Sequence, residues 1–287
     1  MVMIEVPNGK YYMDKTFKKN LDIGLDSMED NDDLVIVIDG KERSGKSLLS
    51  RQIGKYCADF LGSTFSDKNI FFELNEYVDF SIESPNYTIC ILDEARNVLN
   101  KKAAMSKGNK KFTNYISECA KKRQVHIILL PAYHDLDKYI TLWRNKFVIH
   151  VHKWYEEDST KRSGFKLARG KYTLYLNDEY LKKSYFYPYA YPRGWETRGE
   201  FKGFEVFSKD ELDRYENKKD DNMELKYHTK HEEALLGKRE QLNQQRLIKL
   251  ILHCQNARGI TRGEMADSIE MEVGAMNKII LRHTPNA

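Results

Sequence analysis

The sequence predicts an α/β protein built around a parallel β-sheet. Three short runs, 34–38, 87–92 and 125–130, are mostly apolar and rich in β-branched residues. Such runs are typical of strands that are buried on both faces. The segment 47–61, which follows the first run, carries apolar residues at helical spacing. Strands that alternate with helices form βαβ units, and these units place their strands parallel in one sheet.

Weaker patterns extend this core in both directions along the chain. After residue 153 the composition becomes rich in tyrosine, and 210–221 is heavily charged. From residue 232 onward the apolar spacing is helical again. The further candidates are a helix over 16–28, strands over 70–72 and 146–152, a helix over 112–122, a hairpin over 165–176 and a linker over 218–222.

The composition is that of an ordered protein outside the membrane. Of the 287 residues, 41% are hydrophobic and 31% are charged, which excludes general disorder and a membrane bundle. No run approaches the ~18 apolar residues of a membrane-spanning helix, and the first residues lack the pattern of a secretion signal. The cysteines, which form no CxxC pair, are expected to be reduced thiols in a cytoplasmic protein rather than disulfides or zinc ligands. They are Cys57, Cys90, Cys119 and Cys254.

Residues 40–47 match the phosphate-loop pattern GxxxxGK[ST] in full. The match follows a predicted buried strand and opens a predicted helix, which is the context that the motif requires. Glycines let backbone N–H groups turn toward phosphate oxygens, and the positive end of the helix dipole faces the same anion. Lys46 supplies a charge for the β- and γ-phosphates of ATP, and Ser47 supplies a hydroxyl ligand for Mg²⁺. The predicted nucleotide contacts are Gly40, Arg43, Ser44, Gly45, Lys46, Ser47 and Leu48.

The apolar run 89–92 leads directly into Asp93 and Glu94. With the phosphate loop as Walker A and this run as Walker B, the sequence resembles P-loop NTPases. The resemblance implies that Asp93 holds Mg²⁺ through water and that Glu94 polarises the attacking water. An adjacent Asp and Glu after an apolar strand resemble the Walker B motif of the RecA-like group. In that group a further strand separates the Walker A strand from the Walker B strand. We assign the candidate strand 70–72 to that position.

The stretch 119–131, a basic helix end followed by an apolar strand, narrows the resemblance. It resembles FtsK–HerA-type DNA translocases and the related zonula-occludens-toxin-like phage ATPases, over about residues 34–152. Those families place a polar sensor, often Thr-Gln, after the strand, whereas this chain has Tyr133 and His134 near that place. Either side chain would then sense the γ-phosphate. The toxin-like proteins carry a membrane span after the core, and no such run is present here.

The resemblance also implies a ring of identical subunits. Motors of this type complete each site with an arginine from the neighbouring subunit, which stabilises charge in the transition state. Arg96, Arg123 and Arg144 are the candidates, and we favour Arg123. An ordinary ion-pair role is the alternative for each of them.

Basic residues indicate a nucleic-acid partner. The net charge is only +4, but basic residues cluster just after the Walker B strand. Lysines in a loop near the site would grip a DNA backbone through charge, without reading its sequence. A solvated loop is the alternative. The lysines are Lys101, Lys102, Lys107, Lys110 and Lys111. The tyrosines over 172–195 would stack on bases, or cover a core or a subunit interface.

The last sixty residues contain three short helical patterns. An apolar face lies over 242–252, a capping box begins at Thr261, and a further helix is predicted over 273–281. This order resembles a helix-turn-helix or winged-helix module, and a helical bundle for docking is the alternative. We therefore predict three domains. They are a RecA-like P-loop core over 1–153, a β-rich extension with a linker over 154–222, and a helix-turn-helix-like module over 223–287.

The function implied by the resemblance is an ATP-hydrolysing DNA motor. It would package or transfer the genome of a virus or mobile element, in the host cytoplasm if viral, with ATP and Mg²⁺ as cofactors and DNA as the track. One alternative is an ATP-gated DNA-binding regulator or loader that uses the C-terminal module. Another is a small-molecule kinase similar to thymidine kinases, because Asp93-Glu94-Ala95 also fits that pattern.

Overall fold

The computed structural model of the chain describes residues 2–6, 9–93, 107–176, 197–222 and 224. The chain divides into two compact units, Met1–Lys219 and Asp220–Ala287. Nearly all described residues belong to the first unit, so the predicted helix-turn-helix-like module lies outside them. The domain boundaries at residues 153 and 222 stay a prediction.

The first half of the chain supplies an N-terminal hairpin and most of the α/β core. The hairpin pairs β1 (Val2–Val6) with β2 (Gly9–Met13), antiparallel to each other. The core elements are α1 (Lys15–Asp26), β3 (Leu34–Asp39), α2 (Lys46–Leu61), β4 (Ile70–Phe71), α3 (Leu74–Glu83) and β5 (Ile89–Leu92). The predicted helix over 16–28 becomes α1 followed by a 3₁₀ turn, Ser27–Asp30. Neither the hairpin nor α3 was predicted.

The second half completes the sheet and then returns to the core. Its elements are α4 (Lys107–Glu118), β6 (Val125–Leu129), β7 (Asn145–Glu157), β8 (Phe165–Leu176), β9 (Thr197–Glu200) and a helix, α5, over residues 209–222. A π-helical turn, Ile140–Arg144, precedes β7. Residues 218–222, predicted to form a linker, are helical instead.

The central sheet has seven strands in the order β4-β5-β6-β3-β7-β8-β9. The first five strands run parallel, and β8 and β9 add antiparallel strands at one edge. The predicted α/β class with a mostly parallel sheet is therefore confirmed. β6 lies between the Walker A strand β3 and the Walker B strand β5. The assignment of 70–72 to that position was wrong, because β4 is an edge strand.

Each face of the sheet is covered by its own apolar layer. In β3, Leu34, Ile36 and Ile38 pack on the side of α1 and α2, whereas Val35 and Val37 pack on the side of α3 and α4. The five apolar residues of β3 are all buried, as the unbroken run 34–38 predicts, and Asp39 at the end of the strand is buried with them. Among the described residues, the helices include none with the length and apolar character that a membrane crossing requires.

Candidate nucleotide-binding site

The phosphate loop connects the end of β3 to the start of α2. It contains three residues with positive φ, namely Gly40 at 139°, Arg43 at 58° and Gly45 at 106°. Left-handed conformations of this kind build the backbone concavities that bind anions. Helix α2 begins at Lys46, directly after Gly45, so its N-terminal N–H groups face the same loop.

The two glycines of the loop are required for close packing as well as for φ. A Cβ atom on Gly40 would lie 2.3 Å from the Val151 carbonyl oxygen of β7. A Cβ atom on Gly45 would lie 3.1 Å from the ring of Phe201. The loop is therefore held between β7 on one side and the segment after β9 on the other.

The Lys46 side chain bends back over the loop. Its Nζ atom donates to the carbonyl oxygen of Gly40 at 2.6 Å and to that of Lys41 at 3.0 Å. The Lys153 Nζ atom of β7 donates to the Glu42 carbonyl oxygen at 2.8 Å. Positive charge is thus concentrated at the rim of the loop, where a phosphate group would bind.

Ser47 and Asp93 come together although they are 46 residues apart in sequence. The Ser47 Oγ atom donates to Asp93 Oδ2 at 2.9 Å. Parallel strands end at the same edge of a sheet, so Asp93, directly after β5, reaches the start of α2. The Asp93 N–H group donates to the Phe71 carbonyl oxygen at 2.8 Å, which continues the β4–β5 pairing and fixes the carboxylate.

Ser44 supplies a polar group that the described residues leave unsatisfied. Its side chain is buried, and its Oγ atom has no hydrogen-bond partner among the described parts of the chain. A buried hydroxyl without a partner is costly. In a phosphate loop, a bound phosphate oxygen would satisfy it.

The residues present therefore fit ATP and Mg²⁺. The glycine concavity, the orphaned Ser44 hydroxyl and the Lys46 ammonium suit a polyphosphate. The hydroxyl of Ser47 and the carboxylate of Asp93 are the hard oxygen ligands that Mg²⁺ prefers.

A residue that sequence reasoning missed, Tyr215, contacts the same carboxylate. Its hydroxyl donates to Asp93 Oδ2 at 2.8 Å, and the side chain is 2% exposed. Burial and the neighbouring Asp93 charge raise the pKa of Tyr215, so the phenol stays protonated as a donor. The one available signal was Ser208 with Glu211, a capping-box spacing that marks the start of α5.

A buried carboxylate, that of Asp39, directly precedes the phosphate loop. Asp39 at the end of β3 accepts from the Tyr133 N–H group at 2.9 Å and contacts His150 Nδ1 at 2.9 Å. The Tyr133 hydroxyl donates to the Thr141 carbonyl oxygen at 2.8 Å. The Tyr133 hydroxyl is therefore directed into the core. The assignment of Tyr133 or His134 as the γ-phosphate sensor stays a prediction.

Two of the candidate trans arginines lie where parallel strands begin, whereas the phosphate loop lies where β3 ends. Arg123 precedes β6, where it donates to Asn31 Oδ1 at 3.2 Å and to the Tyr87 hydroxyl at 2.8 Å. Arg144 precedes β7 and pairs with the buried Asp33 at 2.5 Å. Neither reaches the phosphate loop of its own chain, so a catalytic role would require a neighbouring subunit. Their assignment stays a prediction.

Several predicted site residues lie outside the described residues. They are Glu94, Arg96, Lys101 and Lys102. Of the other predicted DNA contacts, Lys107, Lys110 and Lys111 belong to the first turns of α4. The structure thus brings together Gly40, Ser44, Gly45, Lys46, Ser47 and Asp93, and adds Tyr215.

Strand β3, the phosphate loop and helix α2, with the Asp93 strand two positions away in the sheet, have the arrangement that P-loop NTPases share. The predicted resemblance to that class is thereby confirmed. Comparison with family models and with curated proteins finds no match.

Similar solved structures come from a bacterium and from two viruses. The N-terminal domain of zonular occludens toxin from Neisseria meningitidis is 15% identical, with 63% of this chain and 98% of that chain covered and a TM-score of 0.38. The DNA-packaging ATPase B204 from Sulfolobus turreted icosahedral virus is 14% identical, with 52% and 95% covered and a TM-score of 0.35. The genome packaging NTPase B204 from Sulfolobus turreted icosahedral virus 2, in complex with AMPPCP, is 14% identical, with 52% and 94% covered and a TM-score of 0.33.

Proposed function

We propose that this chain is a Mg²⁺-dependent ATPase that works as a DNA motor of the FtsK–HerA type in genome packaging or DNA transfer. The observation that carries the proposal is the 2.9 Å contact between Ser47 Oγ and Asp93 Oδ2 beside the phosphate loop. That contact joins the two motifs on which nucleotide hydrolysis depends in P-loop enzymes.

The roles of the residues follow from their chemistry. The loop backbone and Lys46 would bind the phosphates, and Ser47 and Asp93 would hold Mg²⁺. The bound ion would supply positive charge that offsets the charge of the phosphates. Glu94, adjacent to Asp93 in sequence, orients and polarises the attacking water. Water is thereby positioned as the acceptor of the γ-phosphoryl group.

A ring of identical subunits would complete the site. The guanidinium groups of Arg123 and Arg144 lie near the opposite ends of the parallel strands from the phosphate loop, so these two groups would reach only the γ-phosphate bound to a second copy. An arginine supplied in trans is worth about 10³–10⁵ in turnover in related chemistry. We favour Arg123, because Arg144 is committed to the buried Asp33.

DNA is the proposed track. The lysine-rich stretch 101–111 directly follows the Walker B residues, and its last part opens α4. Cationic side chains at that place would link nucleotide state to grip on phosphates. The proposed cellular place is the cytoplasm, that of the host for a viral protein.

The first experiment measures ATP turnover of the intact chain with and without DNA. Lys46→Ala and Glu94→Gln are expected to abolish DNA-stimulated turnover. Lys55→Ala is the matched control, since Lys55 lies on the same helix and pairs with Asp59 away from the loop. An ATP turnover rate that does not change when DNA is added would contradict the DNA-motor function and favour the small-molecule kinase. Very slow turnover, with DNA binding that survives Glu94→Gln, would favour the regulator.

A second measurement tests the DNA contacts. A triple substitution of Lys107, Lys110 and Lys111 to Gln is expected to weaken DNA binding and to reduce the salt dependence by about 0.9 in log–log slope for each lost phosphate contact. The matched control changes Lys15, Lys18 and Lys19 of α1 to Gln, which removes the same charge. Equal losses in both triple variants would mean that only net charge matters.

A further inference from the structure

Tyr215 and Ser47 donate to the same oxygen of Asp93. The two distances to Oδ2 are 2.8 Å from the Tyr215 hydroxyl and 2.9 Å from Ser47 Oγ. A carboxylate oxygen accepts about two hydrogen bonds. The two donors therefore fill Oδ2 and orient the carboxylate so that Oδ1 is the oxygen left for a water bound to Mg²⁺.

The Tyr215 ring packs against residues of the core. Its centroid lies 5.7 Å from that of Phe72, beside the end of β4. The Arg51 guanidinium of α2 lies 4.7 Å from the same ring centroid. The hydroxyl is therefore presented to Asp93 from a fixed position.

Helix α5 is anchored on both sides of Tyr215. Arg214 makes a bidentate pair with Asp67, with distances of 2.8 Å and 3.1 Å. Lys218 Nζ donates to the Ile70 carbonyl oxygen at 2.8 Å. At its start, Ser208 and Glu211 cap each other. Two contacts to other elements, Arg214–Asp67 and Lys218–Ile70, thus keep this part of α5 against the chain around the start of β4.

We propose that Tyr215 is a positioning residue of the metal site, which holds the Asp93 carboxylate in the orientation that accepts a Mg²⁺-bound water. The inference rests on the proposed binding of Mg²⁺ and ATP, and adds a contribution from α5, far along the chain from both Walker motifs. Tyr215 acts through Asp93 and contacts no phosphate in this role.

The test measures metal binding rather than turnover. Mn²⁺ replaces Mg²⁺, the nucleotide is the non-hydrolysable AMPPNP at saturation, and electron paramagnetic resonance follows the free Mn²⁺. In the full-length chain, Tyr215→Phe keeps the ring and removes the hydroxyl. It is expected to raise the Mn²⁺ Kd about tenfold, while the affinity for AMPPNP without metal changes less than twofold.

Tyr56→Phe is the matched control. Tyr56 belongs to the same apolar layer as Tyr215. Its hydroxyl also donates to a carboxylate, that of Asp22, away from the phosphate loop. It is expected to leave the Mn²⁺ Kd within twofold. Equal weakening by Tyr56→Phe, or a Tyr215→Phe chain that binds Mn²⁺ like the wild type, would overturn the inference.

A double-mutant cycle separates positioning from general loosening of the fold. In an Asp93→Asn background, Tyr215→Phe is expected to add no further loss of Mn²⁺ affinity, because the carboxylate that it orients is gone. An additional tenfold loss in that background would contradict the proposal. If Mn²⁺ binding to the wild type depends on Tyr215 but the wild type does not hydrolyse ATP, the proposed motor function is contradicted and the role of Tyr215 is supported. A wild type that binds no Mn²⁺ with AMPPNP would overturn both.

Discussion

Arg51 of α2 and Glu205 form a bidentate ion pair, with Nε 3.0 Å from Oε1 and Nη2 2.5 Å from Oε2. The Arg51 side chain is 7% exposed and that of Glu205 is 25% exposed. The next residue of α2, Gln52, donates to the carbonyl oxygens of Lys202 and Phe204. These contacts fasten the segment after β9 onto the helix that begins at the phosphate loop.

Glu205→Gln is expected to destabilise the first unit by about 2 kcal/mol, because it leaves the buried Arg51 charge without its partner. Urea unfolding measures the change. The control is Glu5→Gln, which removes the exposed Lys10–Glu5 pair. That control is expected to change the free energy of unfolding much less, because water screens an exposed pair. Equal effects would mean that the Arg51–Glu205 pair contributes no more than a surface pair.

Gly40→Ala is expected to displace the phosphate loop. The added Cβ atom would lie 2.3 Å from the Val151 carbonyl oxygen, at a φ of +139° that alanine rarely adopts. Nucleotide binding, measured by calorimetry, should be lost, and the thermal midpoint should fall. Gly62→Ala is the matched control, since its φ is +65° and nothing lies within 4 Å of the new atom. It should cost only the ~1–2 kcal/mol of a left-handed alanine and leave binding intact.

Ser44→Ala is expected to change stability and nucleotide affinity in opposite directions. Without nucleotide, removal of a buried hydroxyl that has no partner among the described residues should leave the free energy of unfolding equal or higher, by up to about 1 kcal/mol. With nucleotide, the lost phosphate contact should raise the Kd about tenfold. Ser50→Ala is the control, because its hydroxyl bonds to the Ser47 carbonyl oxygen. Loss of stability together with unchanged affinity in Ser44→Ala would contradict the assignment of Ser44 to the phosphate site.

His126 should make the fold sensitive to mild acid. Burial lowers the pKa of His126 to about 3, with a smaller contribution from Arg144. The unfolded chain binds the proton with a pKa of about 6.5, so the stabilising effect is full above that pH and is lost as the pH falls toward 3. Between pH 7.0 and 5.5 this single group should cost about 1 kcal/mol of stability.

Urea unfolding of the wild type and of His126→Gln at those two pH values checks the expectation. The wild type should lose about 1 kcal/mol more than the variant between pH 7.0 and 5.5, since only it carries the buried imidazole. His126 contacts the Tyr77 hydroxyl at 2.6 Å and Cys119 Sγ at 3.5 Å. Tyr77 and Cys119 themselves are unchanged in the variant. The same pH dependence in both chains would exclude His126 as its source.

The core elements agree closely with the sequence-based predictions. The predicted strand 34–38 is Leu34–Asp39, the strand 125–130 is Val125–Leu129, and the helix 47–61 is Lys46–Leu61. These elements are long or mostly apolar, so their sequence pattern identifies them. The edge strand β4 has only two residues, and its neighbours in the sheet cannot be read from its own composition.

Helix α5 shows where local patterns fail. The end of the charged run, residues 218–222, was predicted to be a linker, yet residues 209–222 form a helix that packs on the core. Its charges are satisfied by distant residues, as Arg214 is by Asp67, and its buried Tyr215 meets Asp93. A helix that is stabilised by long-range pairs carries only a weak amphipathic signal of its own.

The sequence by itself determined the phosphate loop, because its glycines, its lysine and the start of α2 act on the backbone within eight residues. It also determined which strands are buried on both faces. Only the tertiary structure decided that β6 lies between β3 and β5, and that Ser47, Asp93 and Tyr215 meet at one oxygen. Those contacts join residues 46 and 122 positions apart, and their geometry depends on strand order and on the packing of whole elements.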